Sequence, residues 1–307
     1  MTIGAAQGHR PAGRRTPVRR LARAAIVVAV ALVVVTGAVF GLRAGQAKLV
    51  YHPSRAPLPP VAQVLPGAEA VTLTTEDGLD LTSWILPPTT RGPAPARDQA
   101  VLLAHGNGGS LAGRAALAAE LADRGFTVAL VGYRGYAGNP GTPSEHGLVL
   151  DALAVQRELA ARGFPADRTI YLGESIGTGV VSGLAERVPP AGLVLRSPFT
   201  SLADVGRTVV PLPRSAIRFI LDRNVYPIAQ QVAAHDVPVT VISGTADEVV
   251  PHAQSVEVAA AARHLVEHVV VDGARHNDGL WLGPVVADAV VRLADMRLAG
   301  EAVAPAS

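Results

Sequence analysis

The most constraining feature of this chain is an alternation that begins after residue 66. Short, almost continuous apolar runs (101–104, 127–132, 169–173, 192–195, 239–243 and 268–272) take turns with longer stretches of helical periodicity (about 111–124, 145–162, 176–187, 252–263 and 284–298). Strands that are apolar on both faces belong in a covered, mostly parallel sheet, and the intervening helices supply the crossovers such strands need. The expectation is one α/β domain over residues 67–300, with a mostly parallel central sheet and helices on both faces. Ahead of it, Val71–Thr75 and Leu79–Leu86 flank Asp77-Gly78, a hairpin signal that adds antiparallel strands at one edge. The interval 196–238 is too long for a simple crossover, and a small cap is expected at about 198–236.

In an open sheet of this kind, sites form beyond the carboxyl ends of the strands. Ser175 lies there, in Gly173-Glu-Ser175-Ile-Gly177, between the run at 169–173 and a helix starting near Ile176. A tight strand-to-helix turn leaves no room for side chains at 173 or 177 and presents the serine hydroxyl beside a helix N-terminus. A serine needs a base to become nucleophilic. Of nine histidines, His276 alone sits in a loop directly after a late strand, in Gly-Ala-Arg-His276-Asn-Asp-Gly; His52 reads as a residue of a proline-rich connector. The base needs an orienting acid, and Asp247 follows the run at 239–243, with Glu248 and Asp272 as competing candidates. The order Ser175, Asp247, His276 is the chain order of this fold type's catalytic groups.

The segment Leu-Ala-His105-Gly-Asn107-Gly-Gly109 follows the run at 101–104. A nucleotide-binding loop would need glycine at 111, where leucine stands, and the chain has no Gly-Lys-Ser or Gly-Lys-Thr. An oxyanion hole fits better, with the backbone N–H groups of Asn107 and Ile176 as donors and His105 in a structural role. This chemistry needs no metal or organic cofactor, and with no cysteines the chain has no thiolate ligands, no disulfides and no thiol nucleophile.

The net charge of +2 is a local effect. Six arginines (10, 14, 15, 19, 20 and 23) crowd a first stretch without Asp or Glu, and the remainder is net acidic, which argues against nucleic-acid binding. Ala24–Leu42 follows as 19 uncharged residues, roughly 28 Å of helix at ~1.5 Å per residue and close to a bilayer's hydrocarbon thickness. The expected organisation is a basic cytoplasmic tail (1–23), a transmembrane anchor (24–42) and a proline-rich stalk or wrapping segment (43–66). The α/β domain would then lie on the extracytoplasmic side. Arg43 and the lack of a small-x-small site at Ala44–Ala47 weigh against the alternative, secretion after signal cleavage.

Taken together, LVYHPSR (49–55), LLAHGNGG (102–109), GYRGYAGNPGTPSEHGL (132–148), YLGESIGTGV (171–180), RSPFTSL (196–202), GTADEVVP (244–251) and RHND (275–278) resemble the Bem46-like membrane-anchored serine hydrolases of the α/β-hydrolase superfamily. The resemblance implies Ser175 as nucleophile, His276 as base, Asp247 as acid, and Asn107 and Ile176 as oxyanion donors. It implies hydrolysis of an ester or thioester in a small-molecule or lipid-like acyl substrate. Peptide cleavage, as in proline-specific aminopeptidases, acyl transfer, and a silent membrane-tethered binding protein are the other readings. Arg196 departs from the pattern, since relatives often carry an acidic residue before Ser-Pro-Phe.

Overall fold

The computed structural model describes residues 16–54, 56–89 and 94–301. Arg10, Arg14 and Arg15, and with them most of the expected basic tail, lie outside the described residues. The chain divides into two units, residues 1–45 and 46–307.

Among the described residues the first unit holds one helix, α1 (Thr16–Ala44). It starts upstream of the apolar stretch because arginine is a good helix former and Arg19, Arg20 and Arg23 continue the same backbone. Ile26, Val28, Leu32, Val35 and Phe40 are all exposed. By length and composition α1 can cross a membrane, a property that anchors share with signal sequences.

The second unit opens with α2 (Gln46–Val50) and α3 (Val61–Val64). Gln46, Val50 and Tyr51 are buried, so this segment is packed onto the domain. The hairpin follows as β1 (Glu69–Thr74) and β2 (Asp80–Leu86), antiparallel with Thr74 opposite Asp80. Gly78 turns it at φ +83°, a conformation costly for any residue with a Cβ.

Next come β3 (Ala100–Ala104), a 3-10 turn at Ala112–Arg114, α4 (Ala115–Asp123), β4 (Thr127–Leu130) and α5 (Glu145–Ala161). The helical pattern expected over 111–124 is divided because Gly113 weakens a regular helix start. Ser144 caps α5 by accepting from Gly147 N at 3.1 Å. Then β5 (Thr169–Glu174) runs into α6 (Ile176–Arg187), followed by β6 (Gly192–Arg196).

Three short helices occupy the expected cap interval: α7 (Leu202–Val209), α8 (Arg214–Ile220) and α9 (Ile228–Ala234). Then follow β7 (Val239–Gly244), α10 (His252–Ala261), β8 (Leu265–Val271) and α11 (Pro284–Glu301). β8 begins three residues before the apolar run at 268 because it is an edge strand. Half-exposed throughout, it needs no unbroken apolar run and accepts Glu267.

Among the described residues the sheet has eight strands in the order β1-β2-β4-β3-β5-β6-β7-β8, parallel from β4 onward. Alternate residues of β3 enter two separate cores. Ala100, Leu102 and Ala104 pack with α5, α6, α9 and α10 on one face. Val101 and Leu103 pack with α4 and α11 on the other. Each fully buried Leu or Val contributes about 1.5–3 kcal/mol relative to exposure. The result is a rigid frame that holds the carboxyl ends of β3, β5, β7 and β8 along one rim.

Candidate active site

Ser175 occupies the junction of β5 and α6 at φ +53° and ψ −120°, an unfavourable backbone for a non-glycine residue. Its N–H donates to Arg196 O at 2.9 Å, and its carbonyl accepts from Thr178 N at 2.9 Å, so both neighbours hold the turn. The flanking glycines are required by space. A Cβ at Gly177 would stand 2.2 Å from Ala104 O, and one at Gly173 would stand 2.5 Å from Gly177 O. Here the backbones of β3, β5 and α6 meet directly.

Asp247 lies in the loop after β7 and His276 in the loop after β8. Asp247 Oδ2 is 2.8 Å from His276 Nδ1 and also accepts from Ser197 Oγ at 2.8 Å. Its Oδ1 accepts from Val249 N at 3.0 Å and Val250 N at 2.7 Å. Burial pushes the Asp247 carboxyl up, but the His276 ring and these donors outweigh burial and hold it below its ordinary value. A carboxylate here assigns the proton of the neutral imidazole to Nδ1 and leaves the lone pair on Nε2. The competing acids do not reach the ring. Glu248 accepts from the His276 backbone N–H at 3.3 Å, and Asp272 accepts from Thr245 Oγ1 at 2.8 Å.

Ser175 and His276 line one cavity of about 440 Å³, together with His52, Asn107, Arg114, Arg196 and Val249 and the glycines of the 106–109 loop. Among the described residues no hydrogen bond joins Ser175 to the imidazole, a common state before substrate draws such groups together. The backbone N–H groups of Asn107 and Ile176 are not spent on turn or loop carbonyls among the described residues. No residue of 198–236 lines this cavity. The segment between α8 and α9 is held at Tyr51 instead, whose Oη bonds Asn224 Oδ1 and Tyr226 Oη at 2.6 and 2.7 Å.

Two features escape a sequence reading. The first is the segment after α1. Asn107 Nδ2 donates to Val50 O at 2.6 Å, while its Oδ1 accepts from His52 N at 3.0 Å and Tyr136 Oη at 2.8 Å. The loop with the candidate oxyanion donor is therefore fastened to residues 50–52, and His52 is a wall of the cavity instead of a connector residue. The stretch LVYHPSR at 49–55 is the sequence signal for it. The second is ionic. Glu174, next to the serine, is fully buried and paired with Arg114 Nε, and Arg196 Nη2 lies 3.7 Å away. Arg196, also buried, donates to His276 O at 3.1 Å and lies over Trp281. His105 is buried against Tyr133, and burial lowers its pKa to about 4, so it is a neutral structural residue. Among the described residues no three His, Asp or Glu side chains converge as a metal site would require.

An eight-stranded, mostly parallel sheet with a serine at its central strand-to-helix turn defines an α/β-hydrolase. A family model described as serine aminopeptidase, S33, matches residues 95–227. The Pyrococcus furiosus esterase Pf2001 superposes with a TM-score of 0.61 over 80% of this chain and 98% of its own, at 20% identity. Rat lysophosphatidylserine lipase ABHD12 is 32% identical over 176 residues, 49% of this chain and 42% of that protein. The Mycobacterium tuberculosis protein Rv2307c is 44% identical over 274 residues, covering 88% of this chain and 94% of its own. The chain belongs to the α/β-hydrolase superfamily and, within it, to the family of Rv2307c.

Proposed function

We propose that this α/β-hydrolase cleaves ester or thioester bonds through Ser175, His276 and Asp247, with the N–H groups of Asn107 and Ile176 as the oxyanion hole. The observation that carries the reading is the shared cavity. It brings a serine on a positive-φ turn together with an imidazole whose far nitrogen is hydrogen-bonded to a buried carboxylate. In this mechanism His276 Nε2 takes the Ser175 proton as Oγ attacks the carbonyl carbon. Negative charge gathers on the carbonyl oxygen, where the two amides stabilise it. The imidazolium formed is stabilised by Asp247 and protonates the leaving group. Water, deprotonated by the same imidazole, then releases the acyl group from the serine.

We assign α1 to membrane anchoring with the arginines on the cytoplasmic side, and the chain to the Bem46-like branch on its matching motifs. The esterase and lipase activities named for Pf2001 and ABHD12 are consistent with acyl-ester chemistry. The description of the matching family model keeps peptide bonds as the second reading.

A fluorophosphonate probe on the full chain in detergent tests the nucleophile. Wild type should label and Ser175→Ala should not, and equal labelling refutes the assignment. Turnover of 4-nitrophenyl butyrate, set against a prolyl 4-nitroanilide, separates the ester from the peptide reading. Ser175→Ala should lower kcat at least about a thousandfold while leaving the unfolding midpoint unchanged.

A further inference from the structure

The permanently charged side chains that line the cavity beside Ser175 are of one sign. Arg114 and Arg196 both line the cavity, and no carboxylate lines it. Glu174 is the anion beneath them, in contact with both guanidinium groups. Asp247 lies behind the His276 ring with four hydrogen bonds already accepted. Outside the lining, Glu248 accepts from His276 N and pairs with the Arg275 side chain, and Asp278 accepts from Arg275 N.

Arg196 is the decisive group. Its side chain is 4% exposed, and its Nε is buried with no hydrogen-bond partner among the described residues. Arg114 is held against the oxyanion loop, where a Cβ at Gly109 would stand 3.4 Å from its Nη2. A desolvated guanidinium without its full set of acceptors is costly. The structure keeps Arg196 in that state, with the partly exposed Arg114 bonded to the same Glu174 carboxylate and to Gly113 O, on the wall of the cavity that holds the candidate nucleophile.

We propose that Arg114 and Arg196 form an anion subsite beside Ser175, and that the preferred acyl substrate carries a carboxylate or phosphate close to its scissile carbonyl. The proposal rests on the serine-hydrolase reading for its link to turnover, while the subsite itself is a binding property. It gives Arg196 a specificity role. A guanidinium presents planar paired donors that suit either oxyanion.

The alternative role for this charge is general stabilisation of the transition-state oxyanion, which would favour charged and neutral substrates equally. The experiment measures kcat/KM of the full chain in detergent for 3-acetoxybenzoate and its neutral methyl ester. The phosphate arm compares 3-acetoxyphenyl phosphate with phenyl acetate. Wild type should prefer the anionic member of at least one pair by about tenfold to a hundredfold, the worth of one charge-assisted hydrogen bond. The favoured pair identifies carboxylate or phosphate as the fitting anion.

Arg196→Met and Arg114→Met should each bring that ratio close to one. Ratios within a single variant cancel any general loss of activity. A wild-type ratio of one or less overturns the proposal, as does a preference that survives both substitutions. If the methionine variants do not fold, Arg114→Lys should narrow the ratio, and an unchanged ratio there counts against the subsite. Calorimetric titration with 3-hydroxybenzoate and 3-hydroxybenzamide reads the subsite without catalysis. Tighter binding of the charged compound supports it even if no Ser175-dependent turnover is found, and equal binding overturns it.

Discussion

His276 Nδ1 lies 2.8 Å from Asp247 Oδ2, although the two residues are supplied by loops after different strands. This contact sets which imidazole nitrogen can accept a proton. Asp247→Asn replaces the acceptor with an amide that is satisfied by the wrong tautomer. In the proposed mechanism kcat falls roughly a thousandfold to ten-thousandfold with little change in KM. Glu248→Gln, at a side chain that meets the His276 backbone and Arg275 but not the imidazole, should cost less than about tenfold. Steady-state kinetics on both variants check this, and a larger loss from Glu248→Gln would reverse the assignment of the acid.

Asn107 acts through its side chain on the position of its own backbone. Removing its bonds to Val50, His52 and Tyr136 frees the loop that carries a proposed oxyanion donor. Asn107→Ala should therefore lower kcat roughly tenfold to a hundredfold while KM stays within about threefold. Asn107→Asp keeps the two accepted hydrogen bonds and should fall between wild type and alanine. Identical kcat values for all three proteins would show that the loop needs no such fastening.

The glycine at 177 is a structural requirement independent of catalysis. Ala104 O occupies the space a methyl group would need, so Gly177→Ala must push β3 and α6 apart. Urea unfolding should register a loss of about 1–3 kcal/mol. A midpoint matching wild type with an unchanged slope contradicts the close approach.

His105 makes stability depend on pH. Burial lowers its folded pKa to about 4 against 6.5 for the free side chain. Between these values the unfolded chain binds a proton that the folded chain refuses. Its contribution is therefore complete above about pH 6.5 and is lost as pH falls toward 4, on the order of 3 kcal/mol in total. Urea midpoints across this range should drop for wild type and drop less steeply for His105→Asn. Parallel profiles would mean that His105 is not held neutral.

Much of this architecture is written in local patterns, because local patterns encode burial and turn geometry. The apolar run at 169–173 predicts β5 to within one residue, and Asp77-Gly78 marks the β1–β2 turn. Ser175, Asp247 and His276 are visible as polar residues placed just past strand ends. The cluster of Arg114, Glu174 and Arg196 is invisible by the same logic. Its members are separated by 60 and 22 residues, and only the adjacency of β5 and β6 in the sheet brings two of them side by side. His52 was misread for a related reason: proline-rich composition describes how stiff a segment is, and not what it lies against. The strand order itself has no local signature, since β4 and β3 exchange places without any change in their apolar runs.

Under the proposed anchoring by α1, the fastening of Asn107 to Val50 and His52 bears on how the domain would be set free. A protease cutting within residues 46–49 leaves those partners attached to the body of the enzyme. A cut after residue 54 carries them away with the released N-terminal fragment. Two released forms differing by only a few residues would then differ in competence, and the position of the cut would set how active the freed domain is.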